Sequence, residues 1–380
     1  MAVKRRALRL TAALLALALL SGCAFFAPAE PETAAPPAAL WLWSGEPMGA
    51  ALAALAEEYN ETSPAQSLSV RVFDDENALA AALNIARPEL LLCSGERAAA
   101  LYAQEKLAPL TPELALEESF LSLDESVGRA FFPLGAEMPV LAVNAAGYLA
   151  SPVTSGVGEE ALAGTESLCS LAAAHGRSTG QPFFAADSWA AFFALYLAQA
   201  GEDFGGSRES LAGSETGAAL YNLLAETAFA RGLYTGAEDA AALVRRGYVT
   251  SALLPSRALA SGTEGLAIYP APRLETGEAL LPVQLWGLAV TGESAEALPG
   301  AEAFLSWLFE PERAAALALD EGLLPGVAGR AVPGGEGTLE QALQRSAERS
   351  RFVLDRQDAA WRAVAADFDE ELRAALALFD

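Results

Sequence analysis

Gly176-Arg177-Ser178-Thr179-Gly180 has the Gly-x-Ser-x-Gly spacing of a hydrolase nucleophile elbow. In that arrangement the serine is activated by a histidine that follows it in the chain. The single histidine is His175, immediately before the motif, so the triad order fails and a polar turn is expected. A glycosidase needs only two carboxyls, roughly 5 to 10 Å apart. With 49 acidic residues in the chain that chemistry stays open, but no pair is singled out. Asp74-Asp75-Glu76-Asn77 offers oxygen ligands yet lacks the glycine and distal glutamate of an EF-hand loop, so a solvated turn is expected. One histidine cannot build a multi-histidine zinc site, and no metal or cofactor is implied. Cys93 and Cys169 read as buried small hydrophobes, and a disulfide between them is compatible with an exported chain.

The tryptophans carry a second kind of chemistry. Sugars present apolar C–H faces between hydroxyl rims, so their sites combine flat aromatic rings with polar donors and acceptors. Trp43, Trp189 and Trp286 fall at the ends of expected strands or helices, and Tyr269 closes an expected strand. Core packing is the competing reading for each ring. Trp41 shares strand parity with Trp43 but lies two residues deeper, where burial is expected. Trp307 and Trp361 fall in apolar helical stripes and read as core.

The elements that must position these residues follow from periodicity. Ala39-Leu-Trp-Leu-Trp-Ser44 reads as a strand, and Pro47 suits the first turn of the helix after it. Leu68–Phe73 alternates as a strand, and Pro88–Cys93 is a buried apolar run; a short helix separates them and another spans Arg97–Glu105. Three strands alternating with helices predict an α/β fold with a parallel sheet covered on both faces. Ligands of such sheets gather beyond the strands' carboxyl ends, here Ser44-Gly45-Glu46, Asp74-Asp75 and Ser94-Gly95-Glu96. The middle of the chain is helical, with Ser188–Ala200 apolar nearly all round and therefore deeply buried. Gly265–Tyr269 and Val283–Val290 read as strands, and helices are expected over Ala301–Phe309, Glu312–Glu321, Leu339–Arg351 and Asp358–Leu378.

The amino-terminal residues read differently. Lys4, Arg5, Arg6 and Arg9 precede the Leu/Ala run of residues 10–20, and Leu20-Ser21-Gly22-Cys23 has the order of a bacterial lipobox. Residues 1–22 are thus expected to be a lipoprotein signal peptide, with Cys23 acylated and holding the chain to the membrane surface. The proline-rich residues 23–38 read as an extended linker. Removing the leader's four basic residues from 24 leaves 20 against 49 acids, a net charge of −29. A surface this acidic repels phosphate backbones, which excludes nucleic acid as a partner. The remaining length exceeds one ordinary core, so two lobes are expected.

The succession of segments resembles the extracellular solute-binding proteins of bacterial ABC importers, in particular the carbohydrate-binding group. Residues 39–64 resemble that family's opening strand ending in Trp and its first helix, and RPELLLCSGERAAALYAQEKLAPLTPEL resembles its third strand, helix and Leu-x-Pro-Leu turn. MPVLAVNAAGYLASP is similar to its crossover strand, without the usual Tyr and Lys-Asp. ETAFARGLYTG resembles its helix leading into a Gly-aromatic turn. Residues 269–326 follow its Pro-x-Pro, strand, helix, Pro-Glu, helix, Gly-x-Leu-Pro order most closely. The resemblance implies a two-lobe periplasmic-binding-protein-like fold with hinge crossovers: residues 39–140 and 263–300 in lobe 1, 141–262 and 301–380 in lobe 2. It implies no enzyme, but a monomer that traps a small solute, most simply a sugar, in the interlobe cleft and docks on ABC permease subunits. A polyamine and a receptor without transport role are the alternatives. The ligand positions it implies are Trp43, Ser44, Asp75, Ser94, Glu96, Trp189, Tyr269 and Trp286. Where many relatives carry a Gly-x-Trp ring, this chain has Leu254-Pro255-Ser256-Arg257, and a free guanidinium there would suit an anionic or heavily hydroxylated ligand.

Overall fold

A computed structural model describes residues 37–63, 66–109, 130–158, 160–202, 207, 211, 213–275, 280–291, 296–327, 337–355 and 359–379. Residues 1–36, where the sequence leads one to expect the signal peptide, Cys23 and most of the linker, lie outside the described residues.

Strand β1 (Ala38–Trp43) buries Leu40 and Leu42 on one face and Trp41 on the other, as its alternation requires. A turn follows in which Glu46 N–H donates to the Trp43 carbonyl and Gly49 N–H to the Glu46 carbonyl. Helix α1 (Gly49–Thr62) starts only after that turn, with buried Met48 as its N-cap at φ 64°. Pro47 therefore precedes the helix instead of opening it. Next come β2 (Leu68–Phe73), α2 (Glu76–Leu83), β3 (Leu90–Ser94) and α3 (Gly95–Ala103). Both β2 and β3 run parallel to β1 on either side of it, the parallel core the alternating pattern predicts.

Strand β4 (Phe131–Glu137) joins the same sheet, and a single residue, Met138, separates it from β5 (Pro139–Asn144) in a second sheet. The second lobe then builds α4 (Ala145–Ala150), α5 (Glu160–Ala163), α6 (Thr165–Thr179), β6 (Phe184–Ala186), α7 (Trp189–Gln199), α8 (Glu215–Phe229), α9 (Ala240–Arg245), β7 (Ser251–Pro255) and, after a 3₁₀ turn at Ser256–Leu259, β8 (Leu266–Pro270). Its strand order is β6-β7-β5-β8. In α7 every residue except Ala191 is buried, the outcome its apolar sequence requires.

Next in chain order is β9 (Leu280–Val290), back in the first sheet, followed by α10 (Leu298–Leu308), α11 (Pro311–Asp320) and β10 (Leu324–Pro325). The first sheet runs β10-β4-β9-β3-β1-β2. Helix α12 (Leu339–Arg349) packs on β8, β11 (Arg351–Leu354) pairs parallel with the start of β9, and α13 (Ala359–Leu376) packs on α7 and α8.

The lobe assignment differs from the sequence reading in three places, one of them residues 351–354, assigned there to lobe 2 but paired with β9 in the first sheet. Residues 266–270, assigned there to lobe 1, pair antiparallel with β5 from Val140↔Pro270 to Asn144↔Leu266, so the return crossing falls after 270, not near 262. Residues 301–325, assigned to lobe 2, stay on lobe 1: Ala301, Phe304, Leu305 and Leu308 bury their stripe with Leu40, Leu42 and Leu288. The apolar face of α10 matches that sheet, and the chain cannot leave until the face is covered. On the sheet's other face, Trp41, Leu91, Cys93 and Leu285 belong to a core that continues without a break into the second lobe through Met138, Leu281 and Val283.

Candidate functional site

Strand polarity places the site. The carboxyl ends of β1 to β4 and the start of the antiparallel β9 share one edge of the first sheet. In the second sheet the carboxyl ends of β6, β7 and β8 meet the start of β5, with Pro139 opposite Pro255. The two edges join at Met138, whose N–H donates to Ser256 Oγ over 3.3 Å while Ser256 N–H donates to the Met138 carbonyl.

Beside this crossing lies a cavity of about 280 Å³, near the lower end of small-ligand pockets, roughly 300 Å³. Glu137, Pro282, Gln284 and Asp355 line it from the first lobe. Asp187, Ser188, Ala191, Leu254 and Pro255 line it from the second, and Trp361, Arg362 and Ala365 from α13. Ala191, the one exposed residue of α7, is exposed because it faces this space. The N-terminus of α7 is already satisfied: Ala191 N–H donates to Ser188 Oγ at 3.1 Å and Ala190 N–H to Asp369 Oδ1 at 2.6 Å.

The electrostatics are acidic. Burial pushes the Glu137 carboxyl up to about 7; nearby Arg257 opposes the shift, and the charges of Asp355 and Asp187 add to it. The indole N–H of Trp286 is buried beside that carboxyl, close enough to lower its pKa, but closes no hydrogen bond of ordinary geometry. Asp187 is exposed at its edge of the cavity; even so, loss of solvent raises its pKa, and Asp239 and Asp369 raise it further. Arg257 is not in the lining. It reaches Glu321 at 3.7 Å, linking the end of β7 to the end of α11, and the adjoining Gly322, at φ 71°, packs where a Cβ would meet the Ser256 carbonyl at 2.8 Å. The guanidinium expected to be free for a ligand is thus committed to a carboxylate across the crossing.

None of the eight sequence-derived ligand positions lines the cavity. Trp43 is half-buried at the end of β1, with its Nε1 donating to the Asp74 carbonyl at 3.2 Å and its ring lying over Gly45. Ser44 is exposed beside it. The Asp75 and Ser94 side chains cap α2 and α3, accepting from Ala78 N–H at 2.8 Å and Arg97 N–H at 3.2 Å. Glu96 occupies the first turn of α3, and Trp286 is paired with Ser94 and Gly135 on the neighbouring strands. These six residues follow the rim of the first sheet towards Glu137. Trp189 is a correction: at 1% exposure it packs edge-on against Phe184 and Phe192 in the core, because α7 is apolar on all sides. Tyr269 is half-buried in β8 opposite Leu141, away from the lining. Trp361, read as core, is 5% exposed and does line the cavity. Its helical stripe is indistinguishable in sequence from one facing only core, so no signal separates the two.

Glu46 completes the first-lobe rim. It is 8% exposed, its Oε2 is buried without a partner, and burial raises its pKa to about 7 against the pull of Arg97. Arg97 itself pairs with Glu76 at 3.1 Å. Elsewhere, the His175 ring nitrogen meets Ser151 Oγ at 2.7 Å, and Ser178 Oγ donates to the His175 carbonyl. Ser178 is therefore part of a helix end. Cys93 and Cys169 are both buried and free. No group of three His, Cys, Asp or Glu side chains suited to a metal occurs among the described residues, nor is any helix there long and apolar enough to cross a membrane.

Two sheets meeting at their strand ends around a cavity, joined by repeated crossings, form the two-lobe fold of extracellular solute-binding proteins. The cyclic α-maltosyl-1,6-maltose binding protein of Arthrobacter globiformis superimposes with TM-score 0.68 at 17% identity, over 90% of this chain and 94% of that one. The GacH receptor of Streptomyces glaucescens, known in complex with acarbose, gives 0.65 at 19% identity over 90% and 94%. A probable secreted solute-binding lipoprotein of Streptomyces coelicolor gives 0.65 at 16% identity over 90% and 98%. No family model matches the sequence. No curated protein matches it either.

Proposed function

We propose that this chain captures a sugar or oligosaccharide outside the cytoplasm, in the cavity between its lobes, and hands it to an ABC permease. The observation that carries this reading is the cavity itself, built from both strand-end edges at the point where the chain crosses between lobes. Closure about such crossings is how two-lobe receptors retain a solute. Structural neighbours whose names give a ligand bind cyclic maltosyl-maltose, acarbose, maltose, β-D-galactopyranose or cycloalternan, which favours a carbohydrate. The chain works by binding, not turnover.

A thermal-shift panel of maltose, longer malto-oligosaccharides, galactose and amine-bearing sugars tests the reading. A ligand present at about 100 times its Kd adds about 2.7 kcal/mol of stability. A flat response across the panel overturns sugar capture. The lipobox at Leu20–Cys23 supports a lipid anchor at the outer face of the membrane. Cys23→Ala then moves the chain from the membrane to the soluble fraction, and retention of this variant on the membrane overturns the anchor.

A further inference from the structure

The room in the cavity limits what a captured solute can be. Its volume is about 280 Å³. A cavity of about 150 Å³ takes one benzene, which is roughly 25 Å³ for each non-hydrogen atom. By that measure the cavity seats roughly eleven such atoms, close to the dozen or so of one hexose and about half of those in a disaccharide. Small side chains on two helices give it this room: Ala191 and Ala194 on α7, and Ala365 on α13. The two helices are fixed to each other, so neither backs away to make more. Arg373 Nη2 donates to the Asp187 carbonyl at 3.0 Å, Asp369 Oδ1 accepts from Ala190 N–H at 2.6 Å, and Phe193 meets Phe368 edge-on with ring centroids 5.1 Å apart. Another wall is Pro139 paired with Pro255 across two strands, where each proline ring holds its own backbone φ. Closure of the lobes on a solute takes space away and adds none.

The polar groups suit a compact solute as well. Glu137 and Gln284 line the cavity from the first lobe and Asp187 and Ser188 from the second, so one ring with hydroxyls all round meets partners from both lobes at once. A second ring has to lie outside. The lining offers it no aromatic face: Trp361 is the one aromatic residue there among the described residues, and it is 5% exposed. The Trp43 ring, farther along the rim, lies over Gly45. We infer that the cavity takes a single sugar ring, a monosaccharide, with Ala191 and Ala365 setting the size limit. The inference rests on the solute-capture reading and narrows it.

Isothermal titration calorimetry on the full chain tests this with three series of increasing ring number: glucose, maltose and maltotriose; galactose and galactobiose; mannose and mannobiose. At least one monosaccharide is expected to bind, and the longer members of its series are expected to bind no more tightly. Affinity that rises with ring number in any series overturns the size limit and leaves sugar capture standing. Silence from every probe overturns the inference together with the reading beneath it. Ala191→Leu probes the wall itself, at the one position of α7 that is exposed. It adds about three non-hydrogen atoms, or roughly 75 Å³ by the same measure, and leaves too little room for a hexose. The monosaccharide that binds the unaltered chain should therefore lose about tenfold or more in affinity. Unchanged affinity in a folded variant puts the sugar somewhere other than this cavity and overturns the inference. Should the variant fail to fold, seen as a lost circular-dichroism transition, the ring-number series on the unaltered chain still decides.

Discussion

Glu46 and Glu137 keep protons that solvent-exposed carboxyls lose. Both are raised from 4.5 to about 7, with burial as the leading cause. A carboxyl raised on folding favours the folded state fully below its unfolded pKa, and that advantage disappears as pH rises through the folded value. Stability should therefore fall between pH 4.5 and about 7, by something of order 3 kcal/mol for Glu46 alone. Urea midpoints measured across that window check this, and Glu46→Gln should flatten the slope; an unchanged slope in the variant would exonerate Glu46. The tryptophans divide in the same residue-level terms. Trp189→Ala should cost about 3 to 5 kcal/mol, because the ring is wholly enclosed. Trp43→Ala should cost far less in urea and act mainly on ligand affinity, since its ring is half-buried on the rim with one hydrogen bond to the chain. If Trp43→Ala unfolds the protein while survivors bind normally, its place on the rim has no functional weight. Sequence alone separates Trp41 from Trp43 because parity and depth along a strand can be counted. It cannot separate Trp189 from Trp361, because a ring in a helical stripe faces whatever tertiary packing brings to it.

Elements were legible wherever their periodicity was strong. The βαβ opening, the buried α7 and the later helices all follow from spacing, and so does the placing of strand carboxyl ends at one edge. What spacing does not carry is the partner. Leu266–Pro270 reads as a strand whichever sheet receives it, and only its pairing with β5 places it in the second lobe. The stripe of α10 likewise fits any apolar face until Leu40 and Leu42 are seen beneath it. The cavity went unread for a related reason: its walls come from six separate stretches, and α13 contributes Trp361 and Arg362 from the far end of the chain. That helix is fastened to the cavity wall by Asp369, which accepts from Ala190 N–H. Asp369→Ala should leave the donor unpaired at a cost of about 1 to 2 kcal/mol, and should weaken solute binding by loosening α13. Lost stability with unchanged affinity would confine Asp369 to capping.

At the scale of the whole molecule, the lobes are joined by more than threads of chain. One apolar core passes from the first sheet through Met138, Leu281 and Val283 into the second lobe, and Arg257 with Glu321 ties the crossing from outside the cavity. Any motion between the lobes has to pivot about this packed seam, which includes Met138, Leu281 and Val283. The two free cysteines fall on opposite sides of that seam, Cys93 in the first sheet and Cys169 in α6. Burial removes both from solvent and drives both thiols up in pKa, Cys169 to about 12, so neither has the thiolate character that reagents need. Each lobe thus carries an internal clock for its own opening. The order in which a thiol reagent marks the two positions reports which lobe lets go first, or whether the shared seam makes them let go together.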